Sequence, residues 1–137
     1  MNYWLLKTDP DTYNWDNLVS KGSDMWDGVR NYQARNNLRE IKKGDAIFIY
    51  HSGNEPGIIG LAEAIKEYYP DPTADNGDWS VIEIKPVRKL KRYITLAEIK
   101  QKPELGNMYL VRNTRLSVQP VTLKEYNFIL KLENVDK

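Results

Sequence analysis

The stretch from Trp26 to Asn36, WDGVRNYQARN, carries the residue types in this chain that are best suited to binding chemistry. It combines one Trp and one Tyr with two Arg, two Asn and a Gln. A segment that only filled a hydrophobic core would use aliphatic residues at most of these positions. Aromatic rings beside planar hydrogen-bonding groups indicate a surface that binds a flat and polar ligand.

Trp26, Arg30 and Asn31 are the candidate binding residues of this stretch. Trp26 can stack on a nucleic-acid base, a contact that contributes about 1–3 kcal/mol in single-strand recognition. The structural alternative is a Trp buried in the hydrophobic core, where this residue type is common. Arg30 and Asn31 carry donors that suit a base edge or a phosphate. The structural alternatives are an ion pair of Arg30 with Asp27 and capping of a helix by Asn31. Both roles stay open at this level.

The chain offers little for catalysis. It has no cysteine and a single histidine, His51, so thiol nucleophiles and thiolate metal sites are excluded and a zinc site is disfavoured. Serines are available, but no nucleophile-elbow motif accompanies them. The aspartates between positions 9 and 27 match no metal-binding loop in their spacing. We predict a protein without catalysis, metal or cofactor; an enzyme of small molecules or nucleotides that uses His51 is the less favoured alternative.

The net charge is +1, from 20 basic and 19 acidic residues. A protein that holds nucleic acid only by neutralising phosphates is usually far more basic, so any such role must depend on a base pocket or a local patch. The densest basic run gives five candidates for contact with a nucleic-acid backbone: Lys85, Arg88, Lys89, Lys91 and Arg92. No stretch approaches the roughly 20 apolar residues of a membrane span. The N-terminus does not resemble a signal peptide, so we predict a cytoplasmic protein.

Short elements must position these residues. Asp27-Gly28 predicts a turn, and Asn31 predicts the N-cap of a helix that runs to about Lys42. The core-facing stripe of this helix is predicted to comprise Ala34, Leu38 and Ile41. Strands are predicted at 2–8, 46–52, 58–68, 79–90, 108–111 and 116–121, and an exposed loop at 69–78. Short helices are predicted at 13–20, after Thr95 and after Thr122.

This pattern predicts one domain over residues 1–137 with an α+β fold. About five or six strands, interrupted by short helices, favour a curled sheet or a small barrel. Helices do not alternate regularly with strands, which disfavours a doubly wound sheet. The glycines form neither of the common phosphate-binding loops.

Six blocks of the sequence resemble the EVE domain family, in the family's order and over almost the whole chain. The blocks are WLLKTDP at Trp4–Pro10, WDGVRNYQARN at Trp26–Asn36, YHS at Tyr50–Ser52, PGIIG at Pro56–Gly60, YPDPT at Tyr69–Thr73 and RLSVQPVT at Arg115–Thr122. WLLKTDP departs from the commoner WLLKTEP, a change that keeps the charge. The resemblance implies a PUA-like fold, a curled β-barrel flanked by helices, in a superfamily that includes YTH, ASCH and SRA domains.

The resemblance also implies a function: EVE domains are regarded as readers of modified bases in DNA or RNA. The implied pocket draws on Trp26, Arg30, Asn31, His51, Ser52, Leu116, Ser117 and Gln119, with Lys7 and Thr8 at its rim. We therefore expect a non-catalytic nucleic-acid-binding module, in the bacterial cytosol, that takes a base into this pocket. A PUA-type module that binds structured RNA through residues 85–92 is the alternative. The modification, the choice between DNA and RNA, and the oligomeric state stay open.

Overall fold

A computed structural model describes residues 1–135 of the chain. The strands are β1 (Tyr3–Thr8), β2 (Asp24–Trp26), β3 (Ala46–His51), β4 (Gly57–Pro70), β5 (Ser80–Thr95) and β6 (Val118–Val121). The helices are α1 (Trp15–Lys21), α2 (Tyr32–Glu40), α3 (Leu96–Lys100), α4 (Tyr109–Arg112) and α5 (Leu123–Leu132), with a 3₁₀ turn at Pro103–Leu105.

The six strands in the described part of the chain form one mixed sheet in the order β2-β5-β4-β3-β1-β6. β1 and β3 are parallel, and the other neighbours are antiparallel. The predicted α+β class and the number of strands are confirmed. The sheet is not closed into a barrel, because β2 and β6 stand at opposite ends of the order. Each of these end strands is short, with three and four residues.

Hydrophobic residues cover both faces of the sheet. Trp4 and Leu6 of β1 pack into one cluster with Leu38 of α2, while Leu5 packs into a second cluster with Ile129 of α5. This division follows the alternation of side chains along a strand. Both faces of β1 are therefore covered by hydrophobic side chains. The predicted stripe of α2 is also confirmed, since Ala34, Leu38 and Ile41 are fully buried.

One predicted strand is a helix, and the apolar face of α5 differs from its prediction. The strand predicted at 108–111 is α4, which begins after Met108. Short apolar runs do not distinguish a strand from a buried turn of helix, and here Met108 and Leu110 are both buried. On α5, the spacing predicts an apolar face of Leu123, Tyr126, Ile129 and Leu130, but Leu123 is exposed, whereas Ile129 and Leu132 are buried.

Candidate nucleic-acid interface

A cavity of about 370 Å³ opens where the ends of β1 and β2 meet. Its described lining comprises Lys7, Thr8, Asp9, Thr12, Tyr13, Asp24, Met25, Trp26, Asp27 and Gly28. Trp26 is only 7% exposed and belongs to the hydrophobic core as well as to the cavity wall. The core role of Trp26 is therefore confirmed, and its stacking on a base stays a prediction. The volume falls in the range of small-ligand sites.

The aromatic wall of the cavity is held in place by hydrogen bonds. The Tyr13 ring meets Trp26 edge to face, with centroids 6.0 Å apart and planes at 85°. The Tyr13 hydroxyl donates to Asp24 Oδ2 at 2.6 Å, and Thr8 Oγ1 donates to the Tyr13 carbonyl at 2.7 Å. Burial and the contact with Asp24 raise the pKa of Tyr13, so its hydroxyl stays a neutral donor. The wall is thus fixed before any ligand enters.

The cavity lining is acidic. Three carboxylates, those of Asp9, Asp24 and Asp27, line it together with the ammonium group of Lys7. Lys7 Nζ donates to the Thr114 carbonyl, and burial lowers the pKa of Lys7. Carboxylates accept hydrogen bonds and repel phosphate, so this lining suits a ligand that presents N–H donors.

Arg30 and Asn31 lie outside the described lining of this cavity. Asn31 Oδ1 accepts from the Ala34 N–H at 2.9 Å and caps α2. Arg30 Nη1 donates to Asp71 Oδ2 at 2.8 Å, and not to Asp27, the partner that the sequence had suggested. Capping by Asn31, one of the two alternatives, is confirmed. The ion pair of Arg30 forms with a residue of the β4–β5 loop instead.

Asp71 anchors that loop against the turn before α2. The carboxylate is buried and accepts hydrogen bonds from the Gly28 N–H, from Arg30, and from both the N–H and the hydroxyl of Thr73. Burial alone would raise the pKa of Asp71, but these hydrogen bonds outweigh it and lower the pKa to about 2. The prediction of a wholly exposed loop at 69–78 is therefore wrong at Asp71.

His51 and Ser52 lie at a second cleft, of about 330 Å³, on the other side of Asp9. His51 Nε2 accepts from the Trp15 N–H at 3.1 Å, so the neutral ring carries its proton on Nδ1. Burial lowers the pKa of His51. The Ser52 hydroxyl donates to the Thr8 carbonyl at 3.3 Å. Serine and histidine thus make separate structural contacts and not a nucleophile–base pair.

The third group of expected site residues contributes mainly through the core and the backbone. Leu116 is 3% exposed, and Gln119 is fully buried with its amide group donating to the Asn113 and Leu116 carbonyls. The Ser117 carbonyl accepts from the Lys7 N–H at 3.0 Å. These residues support the end of β1, from which Lys7 and Thr8 reach the cavity.

The basic run at 85–92 binds other parts of the protein. Arg88 forms two hydrogen bonds to the buried Glu133, at 2.6 and 2.8 Å. Arg92 forms two to Glu98, both at 2.7 Å. Lys85, Lys89 and Lys91 are exposed. Arg88 therefore connects β5 to the end of α5, and Arg92 connects β5 to α3.

Of the ten residues expected in the pocket, the structure brings Trp26, Lys7 and Thr8 together around one cavity. The sequence did not single out Tyr13, which lies between β1 and α1, or Met25 of β2. The signal was weak, because both are single residues in short segments whose neighbours are set only by the fold. Asp24 had been considered only as one of several aspartates.

Comparison with known proteins places the chain in context. A sequence model of the EVE domain matches residues 2–132. Human thymocyte nuclear protein 1 is 39% identical over 166 aligned residues, which cover 96% of this chain and 74% of the relative.

No group of three or more His, Cys, Asp or Glu in residues 1–135 is arranged to hold a metal ion. Within the same residues, no helix has the length and apolar character needed to cross a membrane.

Solved structures show the same fold. The crystal structure of human THYN1 with 5-methylcytosine-containing DNA has a TM-score of 0.92 at 37% identity, with 100% of both chains covered. A protein from Agrobacterium tumefaciens has a TM-score of 0.94 at 39% identity, covering 98% of this chain and 94% of its own. An ASCH protein from Zymomonas mobilis, at 11% identity and a TM-score of 0.61, shares the fold alone. With a family match over nearly its whole length, this chain belongs to the EVE domain family.

Proposed function

We propose that this protein binds nucleic acid, foremost DNA, by taking a modified base into the Trp26 cavity, and that it does so without catalysis. The observation that carries the proposal is an aromatic cavity with an acidic lining at the ends of β1 and β2. The structure of human THYN1 with 5-methylcytosine-containing DNA, at 37% identity, supports a modified cytosine as the ligand.

The cavity has suitable chemistry for such a base. Removing a base from a duplex costs a few kcal/mol, and the Trp26 and Tyr13 rings offset this cost by contact with the base. A carboxylate accepts a hydrogen bond from the amino group of cytosine, and Asp24 is held by Tyr13 in a fixed position to do so. Specific binding then needs no large positive charge, in agreement with the net charge of +1.

The test compares duplexes that differ in a single cytosine, methylated at C5 or unmodified. Because Trp26 is a core residue, Trp26→Ala would confound binding with folding, and Asp24→Asn is the better variant. We expect Asp24→Asn to weaken binding to the methylated duplex about tenfold. The matched control is Asp16→Asn, an exposed aspartate of α1, which should leave affinity unchanged.

Two outcomes would contradict the proposal. One is a wild-type protein that binds no member of a panel of duplexes and RNAs, each with one modified base. The other is equal loss of affinity in Asp24→Asn and Asp16→Asn, which would show that the cavity carboxylate has no special role.

The alternatives make different predictions. Binding of structured RNA through residues 85–92 should weaken steeply with salt, whereas binding of a modified nucleoside should not. The ion pairs of Arg88 and Arg92 count against this alternative. An enzyme that uses His51 should lose turnover in His51→Ala, and the occupied Nε2 counts against it.

Two finer assignments belong with this proposal. The fold shared with the ASCH protein supports a PUA-like sheet that curls around its core. The end strands β2 and β6 of this sheet are not hydrogen-bonded to each other. We also propose that the protein acts in the bacterial cytosol, because proteins of similar structure occur in bacteria.

A further inference from the structure

Part of the 26–36 stretch lies on a second surface, beside the cavity. Tyr32 stacks on Trp79, with ring centroids 5.2 Å apart and planes at 18°. The Arg30 and Arg35 guanidinium carbons lie 5.7 and 5.8 Å from the Trp79 centroid. Arg35 is also 5.1 Å from the Tyr32 centroid. We name Arg30, Tyr32, Arg35, Arg39 and Trp79 the arginine–aromatic surface.

Tyr32 is the outer member of this stack. It is 68% exposed although it rests on Trp79, so most of its ring faces solvent. An exposed aromatic pair flanked by guanidinium groups is typical of surfaces that bind single-stranded nucleic acid, because every base has a face that can stack. Folding alone does not require a Tyr in this position, since its burial is slight.

The charges on this surface favour a phosphate. Three guanidinium groups share two carboxylates: Arg30 pairs with Asp71, and Arg39 pairs with Asp78 at 2.7 Å while Arg35 stands 3.9 Å from it. The Asp78 side chain is 78% exposed. The Arg35 and Arg39 side chains are 17% and 25% exposed, but the exposure of the carboxylate weakens both pairs, so a phosphate can replace it. Asp71, by contrast, is buried and stays with Arg30.

The surface adjoins the cavity. Arg30 follows Trp26 by four positions, a chain distance of at most about 14 Å. Gly28 lines the cavity and also donates its N–H to Asp71, the partner of Arg30. A strand with one base in the cavity can therefore reach the arginine–aromatic surface within a few nucleotides.

We propose that the arginine–aromatic surface binds the DNA strand next to the inserted base: an unpaired neighbouring base stacks on Tyr32, and its phosphate contacts Arg35 and Arg39. This inference rests on the proposed function of the cavity. It assigns a separate role to Tyr32 and Trp79, which extends the contact from a single base to a short strand.

The test measures affinity for two probes, the 5-methylcytidine nucleoside and a short thymidine strand with one central 5-methylcytosine. We expect Tyr32→Ala to weaken strand binding roughly 5- to 100-fold, the loss of one base–aromatic stack, and to leave nucleoside binding unchanged. Asp78→Asn keeps the carbonyl that both arginines contact and should tighten strand binding about two- to fivefold. The matched control is Tyr109→Ala, an exposed tyrosine of α4.

The outcomes separate this inference from the function of the cavity. Unchanged strand affinity in Tyr32→Ala would overturn the inference, and so would an equal loss for the nucleoside, because Tyr32 would then act through the cavity. If the wild type shows no preference for the methylated strand while Tyr32→Ala still weakens binding to the unmodified strand, the proposed function of the cavity fails and the strand-binding role of Tyr32 stands. Thermal melting of each variant verifies that it is folded.

Discussion

Asp71 shows how a single buried carboxylate can organise a binding surface. It receives hydrogen bonds from the turn that borders the cavity, from Arg30 and from its own loop. A residue in this position fixes the loop that carries Trp79. The sequence contains the signal, because Pro70-Asp71-Pro72-Thr73 is turn chemistry, but it does not reveal that the carboxylate points inward to an arginine 41 residues away.

The pKa of Asp71 leads to a prediction about acid stability. The folded-state pKa, about 2, lies below its ordinary value of 3.8. Its ionised form therefore contributes about 2 kcal/mol to the free energy of unfolding. This contribution is fully present above pH 3.8 and is lost as the pH falls through 2. Urea unfolding against pH should show a larger loss in the wild type than in Asp71→Asn, which keeps only the contributions of other carboxylates such as Glu133, and identical pH profiles would contradict this role.

His51 leads to a prediction in a different pH window. Its Nε2 accepts from the Trp15 N–H, and burial lowers its pKa below 6.5. The neutral ring therefore stabilises the fold fully above pH 6.5, and this stability is lost as the pH falls through the folded-state pKa. NMR titration of the imidazole should give the lowered pKa directly. His51→Gln, which keeps an acceptor, should remove the pH dependence of stability that begins below 6.5.

At the scale of elements, Gly60 of β4 determines how closely α1 approaches the sheet. A Cβ at this position would stand 2.6 Å from the Trp15 ring, and Trp15 is the first residue of α1. Both sides of this contact are buried. The absence of a side chain at Gly60 thus allows the indole to lie directly on the strand.

Gly60→Ala is expected to destabilise the protein by about 1–3 kcal/mol, because a side chain would force Trp15 out of its position. The measurement is denaturant unfolding followed by tryptophan fluorescence. Since Trp15 also donates to His51, the variant should shift the His51 pKa toward its ordinary value. A variant as stable as the wild type would show that α1 adapts without cost.

Elements with strong local signals were predicted well, and those decided by tertiary contacts were not. The Asn31 cap and the α2 stripe follow from residue type and spacing, and both are confirmed. α4 was predicted as a strand because four apolar or aromatic residues carry no period long enough to identify. The cavity shows the same limit: Trp26 was identified by its type, whereas Tyr13 joins it only because the fold brings the two rings edge to face.

At the scale of the whole molecule, the Arg88–Glu133 pair connects the end of α5 to β5. Glu133 is 5% exposed and also accepts from the Lys91 N–H, while 42% of the Arg88 side chain is exposed. Its partner and a backbone donor make Glu133 a structural residue, and neither it nor Arg88 belongs to the described lining of the cavity.

Glu133→Gln should therefore lower the free energy of unfolding by about 1–3 kcal/mol. This cost is smaller than that of breaking a fully buried ion pair, because the Arg88 side chain is partly exposed to water. Affinity for the methylated duplex should not change at temperatures where the variant is folded. Calorimetry and fluorescence anisotropy measure the two effects separately. A gain of affinity in the folded variant would instead support contact of Arg88 with a nucleic-acid backbone.

The place of β1 in the sheet has a consequence for synthesis of the protein. β1 is made first, yet one of its two neighbours is β6, where Val118 pairs with Leu6. A growing chain must therefore keep one edge of β1 unpaired until β6 has been made. An open apolar strand edge promotes association between chains. We therefore expect association between chains to be most frequent in the interval before β6 is translated.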